Sequence, residues 1–230
     1  MVSPEYIVST ESRPLAAEGA AGLLGLTGNL LAIAFLGGIP HAWKPGDLGA
    51  WHSEITAHAY NATGSAWAFT VGLALLMPFA LAWPRLPRLA RPGLARVGAL
   101  LFAIGALLDA AGTPTGAVVA RFLPFSDPMN GPAARALLGC SLLLDATFNG
   151  LLGAGLIVVN IAAGPALSRP LRALGVVAGV ASLPVALQAV SDDYARLLAI
   201  SGPLWLTWCT IVAVQMIRTK ASAFGDVTQG

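Results

Sequence analysis

Apolar positions in this chain come in six long runs, near residues 19–39, 65–83, 95–118, 133–162, 171–190 and 194–217. Short stretches carrying Pro, Gly and most of the charge separate them. A bilayer core about 30 Å thick takes roughly 20 apolar residues as a helix, and each run reaches about that length. The pattern predicts an all-α, polytopic transmembrane bundle of six spans. Its domain organisation reads as an N-terminal tail (1–18), a six-helix membrane domain (19–217) and a C-terminal tail (218–230). The first run contains Ala32-Ile33-Ala34, which resembles a signal-peptidase site, but no basic segment lies next to it, so it reads as a span.

The polar gaps alternate in charge. Arg13, Arg85, Arg88, Arg91, Arg96, Arg169, Arg172, Arg218 and Lys220 fall on one side of the six spans, nine of the thirteen basic residues. Lys44, Arg121, Arg135 and Arg196 fall on the other. Lys and Arg concentrate in short cytoplasmic loops. The count therefore predicts that both termini are cytoplasmic and that segments 40–64, 119–132 and 190–194 face outward.

Composition supports the class. Hydrophobic residues make up 56% of the chain and charged residues 10%, whereas a soluble domain carries roughly 25% charge. The lipid bilayer is thus a partner, and the chain reads as a multi-pass protein of a plasma or inner membrane. A formal net charge of +2, with no basic cluster interleaved with aromatics, argues against nucleic acid. Cys140 and Cys209 lie inside apolar runs and read as packed thiols rather than a disulfide framework. Small residues recur at helix-packing spacing, Gly175 with Gly179 and Ala146 with Gly150 and Ala154, which lets backbones approach closely in lipid.

The longest outer gap, 40–64, holds all three histidines, His41, His52 and His58. Lys44-Pro45-Gly46 reads as a turn and Asp47 as an N-cap. A short amphipathic helix over 47–60 would put Leu48, Trp51, Ile55 and Ala59 on one stripe. Trp51 would anchor it at the outer membrane surface. Glu54 and His58 share a face, but the spacing is not HExxH and no second cluster completes a metal site. Asn61-Ala62-Thr63 fits a glycosylation sequon.

Two acids interrupt the apolar runs, Asp109 in the third span and Asp145 in the fourth. A carboxylate in the bilayer interior is costly, so it calls for a partner or a role. Ser141, Asp145 and Asn149, spaced by four, form a polar stripe on one helix. Asp109 and Thr113 form another. If the two carboxyls are close, like charge and desolvation leave a protonated acid beside a carboxylate, an arrangement suited to acid/base chemistry. Gln188 and Asn29 add polar groups from the fifth and first spans, and Thr207 and Thr210 from the sixth.

These residues predict an outward-opening polar pocket with Asp109 and Asp145 as catalytic groups. Asn149, Ser141, Thr113, Asn29, Gln188, His58 and Trp51 would bind substrate, and the 47–60 helix would serve as a lid. No cofactor and no metal are called for. Spans without His or Lys exclude paired axial haem ligation and a retinal-type Schiff base, and P-loop, dinucleotide and G-x-S-x-G signatures are missing. The best reading is a membrane-embedded acid/base enzyme acting on a lipophilic small molecule. The alternatives are a small proton-coupled transporter acting as a homodimer, and a non-catalytic subunit of a larger membrane complex with structural aspartates.

Overall fold

A computed structural model describes residues 15–37, 48–123 and 131–225. His41, Lys44, Asp47 and Asp127 lie outside the described residues. The described chain is all-α: α1 (Ala16–Leu36), α2 (Leu48–Ala57), α3 (Ala59–Ala82), α4 (Pro92–Phe122), α5 (Gly131–Ala163), α6 (Arg169–Ser182), α7 (Asp192–Ala195) and α8 (Leu198–Gly225). Six segments are long and apolar enough to cross a membrane: Ala16–Leu36, Ala59–Arg85, Pro92–Val119, Gly131–Ala166, Arg169–Leu187 and Asp193–Thr219. The chain is a multi-pass membrane protein. Large hydrophobes such as Leu24, Val71, Leu100, Leu107, Leu143, Val177 and Ile200 point outward and are exposed, as they are when the surrounding solvent is hydrocarbon.

The spanning helices form a closed ring. Each packs on the next in sequence, α1 on α3, α3 on α4, α4 on α5, α5 on α6 and α6 on α8, and α8 returns to α1. The α4–α5 seam is the most extensive. It closes at glycine: a Cβ on Gly98 would lie 2.9 Å from the Gly155 carbonyl, and one on Gly155 would lie 2.8 Å from the Gly98 carbonyl. In lipid, helix association relies on such close backbone packing.

The end that carries the arginines is filled by aromatics. Trp83 is fully buried and meets Phe79, Phe102 and Trp208 edge-on, with ring centroids 5.5, 5.0 and 5.2 Å away. The Trp208 Nε1–H donates to Asn160 Oδ1 at 3.1 Å, and Asn160 Nδ2 donates to the Leu156 carbonyl at 2.8 Å. Gly175 makes room for this pair, since a Cβ there would sit 2.0 Å from Asn160 Nδ2. Gly175 and Gly179 are therefore spent inside the bundle, against α5 and α8. At the same end Arg85, in the 3-10 turn Trp83–Arg85 that follows α3, donates to Glu18 of α1. The Arg91 N–H bonds the Ala162 carbonyl at 3.1 Å, joining the α3–α4 loop to α5.

Two prolines shape the other half. Pro114, inside α4, has no N–H for the Ala110 carbonyl, so the helix loses a bond beside Asp109. Pro184 begins the 3-10 turn Leu183–Leu187 that ends the fifth span. This turn rises faster per residue than an α-helix, and it packs on α5.

Candidate functional site

Asp109 and Asp145 line one cavity of about 110 Å³. Both lie near the middle of their helices, slightly toward the end opposite Arg85, Arg91 and Arg169. Asp109 is about 25 Å along α4 from Pro92 at 1.5 Å per residue. The walls come from five helices. α4 contributes Asp109, Thr113 and Ala117, and α5 contributes Ser141, Leu142 and Asp145. α3 contributes Ala62, Ser65, Ala66 and Phe69, which share one face at helical spacing, and α1 contributes Leu36. Trp51 and Ile55 of α2 complete the wall.

The short helix predicted over 47–60 occurs as α2, ending at Ala57, and α3 follows from Ala59 with the sequon Asn61-Ala62-Thr63 in its first turns. α2 packs on α4, α3 and α5. Ile55 is buried with Ala62, Val119, Ala134 and Leu138, and Trp51 packs beside them. The apolar stripe of α2 thus turns inward onto the bundle and lies over the cavity. His52 is buried on the same helix. Burial holds its imidazole below the usual histidine range, opposed by a hydrogen bond with the Leu123 backbone.

The two carboxyls line the same cavity, yet their partners differ. Asp145 accepts from amide donors at both oxygens. Asn149 Nδ2 reaches Oδ1 at 3.2 Å and also donates to the Asp145 carbonyl at 3.0 Å. Gln188 Nε2 donates to Oδ2. An amide NH₂ has two hydrogens, so Asn149 makes both bonds at once. Asp109, 5% exposed, has one side-chain hydrogen-bond partner among the described residues, the Thr113 hydroxyl, 3.3 Å from Oδ1. The same hydroxyl lies 2.8 Å from the Asp109 carbonyl. Its single hydrogen is shared between the two acceptors, so the Asp109 carboxyl has a weaker donor set than that of Asp145.

The sequence-predicted residues divide into three groups. Asp109, Asp145, Thr113, Ser141 and Trp51 line the cavity. The Ser141 hydroxyl crosses to the Gly112 carbonyl at 3.0 Å and pins α5 to α4 beside it. Asn149 and Gln188 do not line the cavity but hold Asp145 from behind; both are buried. Asn29 and His58 do not reach it. Asn29 Nδ2 turns back to the Gly25 carbonyl at 2.9 Å, against α3. His58 Nδ1 lies 3.0 Å from the Glu54 carbonyl and 3.8 Å from Glu54 Oε2. Ser65 and Phe69 line the cavity without having been singled out in the sequence. The available signal was a serine in an apolar run with an aromatic four residues later. Among the described residues, no three His, Cys, Asp or Glu side chains converge as ligands for a metal ion.

No protein-family model, no curated protein and no solved structure matches this chain.

Proposed function

We propose that this protein is a membrane-embedded acid/base catalyst for a lipophilic small molecule, with Asp109 as the acid and Asp145 as the base. The observation that carries this reading is the unequal donor set around two carboxyls in one cavity. Asp145 takes amide N–H donors at both oxygens, which favours the ionised form. Asp109 has one hydroxyl donor among the described residues, shared with its own backbone carbonyl. A protonated Asp109 can donate to that oxygen while the hydroxyl hydrogen stays on the carbonyl, whereas a carboxylate must compete with the carbonyl for it. One proton on the pair also avoids two like charges in a desolvated site.

The chemistry balances on this assignment. Asp145 removes a proton from the substrate and Asp109 returns one at another atom. The pair then resets by passing a proton from Asp145 to Asp109. With the arginine end in the cytoplasm, as the positive-inside count places it, the cavity opens in the outer half of the bilayer under the α2 lid. The aromatic packing around Trp83 fills the cytoplasmic half. A path through to that side would have to break it, which favours an enzyme over a carrier.

The test is hydrogen exchange into substrate. Purified protein in detergent is incubated with a membrane lipid extract in D₂O, and lipophilic species are screened by mass spectrometry. The expected result is a species that gains deuterium only with the wild-type protein, and not with Asp109→Asn or Asp145→Asn. No labelled species, together with proton flux in proteoliposomes that both substitutions abolish, would favour the carrier.

A further inference from the structure

The cavity holds charge and hydrogen-bonding capacity that its own walls leave unused. Ser65 lines it at 3% exposure, yet its hydroxyl finds no hydrogen-bond partner among the described residues. Several other hydroxyls in the spans return to the carbonyl four residues back, among them Thr27 to Leu23, Ser182 to Ala178 and Thr207 to Pro203. Ser65 does not make that bond, so its hydroxyl is free for a guest. Asp109 Oδ2 likewise meets no donor among the described residues, the Thr113 hydroxyl being at Oδ1. Among the described lining residues there is no Lys, Arg or His to offset the charge on Asp145.

We infer that the substrate of this site is a lipophilic amine, held with its ammonium group among Asp145, Asp109 and Ser65 and its hydrocarbon along Phe69 and Trp51. The inference rests on the acid/base reading above and names its substrate class. An ammonium carries three N–H donors, and the three polar side chains offer acceptors. Its charge compensates a carboxylate that burial in a low-dielectric site otherwise leaves costly. Aromatic faces attract cations, and Phe69 and Trp51 stand in the same wall. An anionic head would meet like charge. A neutral alcohol supplies one donor and leaves Asp145 uncompensated. A cavity of about 110 Å³ holds a head group and a few carbons, well under the ~300 Å³ of an ordinary small-molecule pocket. The rest of the chain must extend past the α2 lid or between helices.

Three probes of one chain length separate the head groups. The full-length protein in maltoside micelles is melted with n-octylamine, n-octanol or n-octanoate. The expected result is stabilisation by octylamine at concentrations roughly tenfold or more below those octanol needs, the advantage of a charge-assisted hydrogen bond over a neutral one. Octanoate should give no stabilisation. Asp145→Asn should abolish the amine advantage. Ser65→Ala should weaken it several-fold while leaving the melting temperature of the free protein unchanged. Equal responses to octylamine and octanol, or an amine response that survives Asp145→Asn, would overturn the amine assignment. The head-group comparison on the wild-type protein needs no variant, so it decides even if Asp145→Asn does not fold. If octanol equals octylamine while deuterium labelling persists, the amine class falls and the acid/base reading stands. If labelling is also absent, both fall.

Discussion

Gln188 Nε2 donates to Asp145 Oδ2, joining the end of the fifth span to the middle of the fourth. This bond, with that of Asn149, gives Asp145 amide donors at both oxygens, while Asp109 has only the shared Thr113 hydroxyl among the described residues. The two aspartates should therefore respond differently to the same change. Asp109→Asn replaces a neutral acid by a neutral amide of similar shape and should shift the melting temperature little. Asp145→Asn turns one acceptor oxygen into an NH₂ facing an amide donor. It should cost about 1–3 kcal/mol, the usual penalty for leaving a buried polar group unsatisfied. Thermal melting of the two variants in one detergent checks the order. Equal losses, or a larger loss at Asp109, would mean the donor assignment is wrong.

Gly175→Ala should destabilise the bundle by about 1–3 kcal/mol, the usual cost of overpacking. The new Cβ falls 2.0 Å from Asn160 Nδ2 and 2.5 Å from Trp208 Nε1. Gly139→Ala is the matched control, because a Cβ there meets nothing within 4 Å. The control should melt at or slightly above the wild-type temperature. Comparable losses at both positions would contradict the role given to Gly175 in seating the Asn160–Trp208 pair.

Helix α2 should loosen from the bundle in acid. Burial lowers the pKa of His52 from its ordinary 6.5 in the docked helix. A group with a depressed folded-state pKa stabilises the docked state fully above its free value, and that contribution is lost as pH falls through the docked value. A bimane fluorophore on Ser53→Cys, in a Cys140→Ser background, should report a more mobile lid as pH drops below about 6.5. His52→Gln should flatten the transition. A lid that tightens on acidification would reverse the sign and exclude this account of His52.

The six spans were legible because hydropathy over some twenty residues is a strong signal, and the bounds differ by a few residues. The second span begins at Ala59 rather than near 65, since Asn61 and Thr63 lower local hydropathy without breaking a helix. Asp109 and Asp145 were legible because a carboxyl inside an apolar run is too costly to be incidental. The partner of Gln188 was not. Spacing pairs Gln188 with Asp192, whereas the 3-10 turn at Leu183–Leu187 delivers it to Asp145. The Asn160–Trp208 bond was hidden for a similar reason: it depends on a missing Cβ in a third helix. Asn29 and His58 went astray because a helix that is apolar nearly all round does not disclose which face meets the cavity. Ser65 was passed over because a lone serine ordinarily bonds its own helix, and only the packed structure shows that this one does not.

In the proposed resting state one proton sits on Asp109 and the charge on Asp145. Infrared spectroscopy of the purified protein at neutral pH tests it most directly, because a protonated carboxyl has a C=O stretch separate from carboxylate and amide bands. The account predicts such a band in the wild-type protein, lost in Asp109→Asn and retained in Asp145→Asn. No protonated-carboxyl band, or one that survives Asp109→Asn and vanishes in Asp145→Asn, would contradict it.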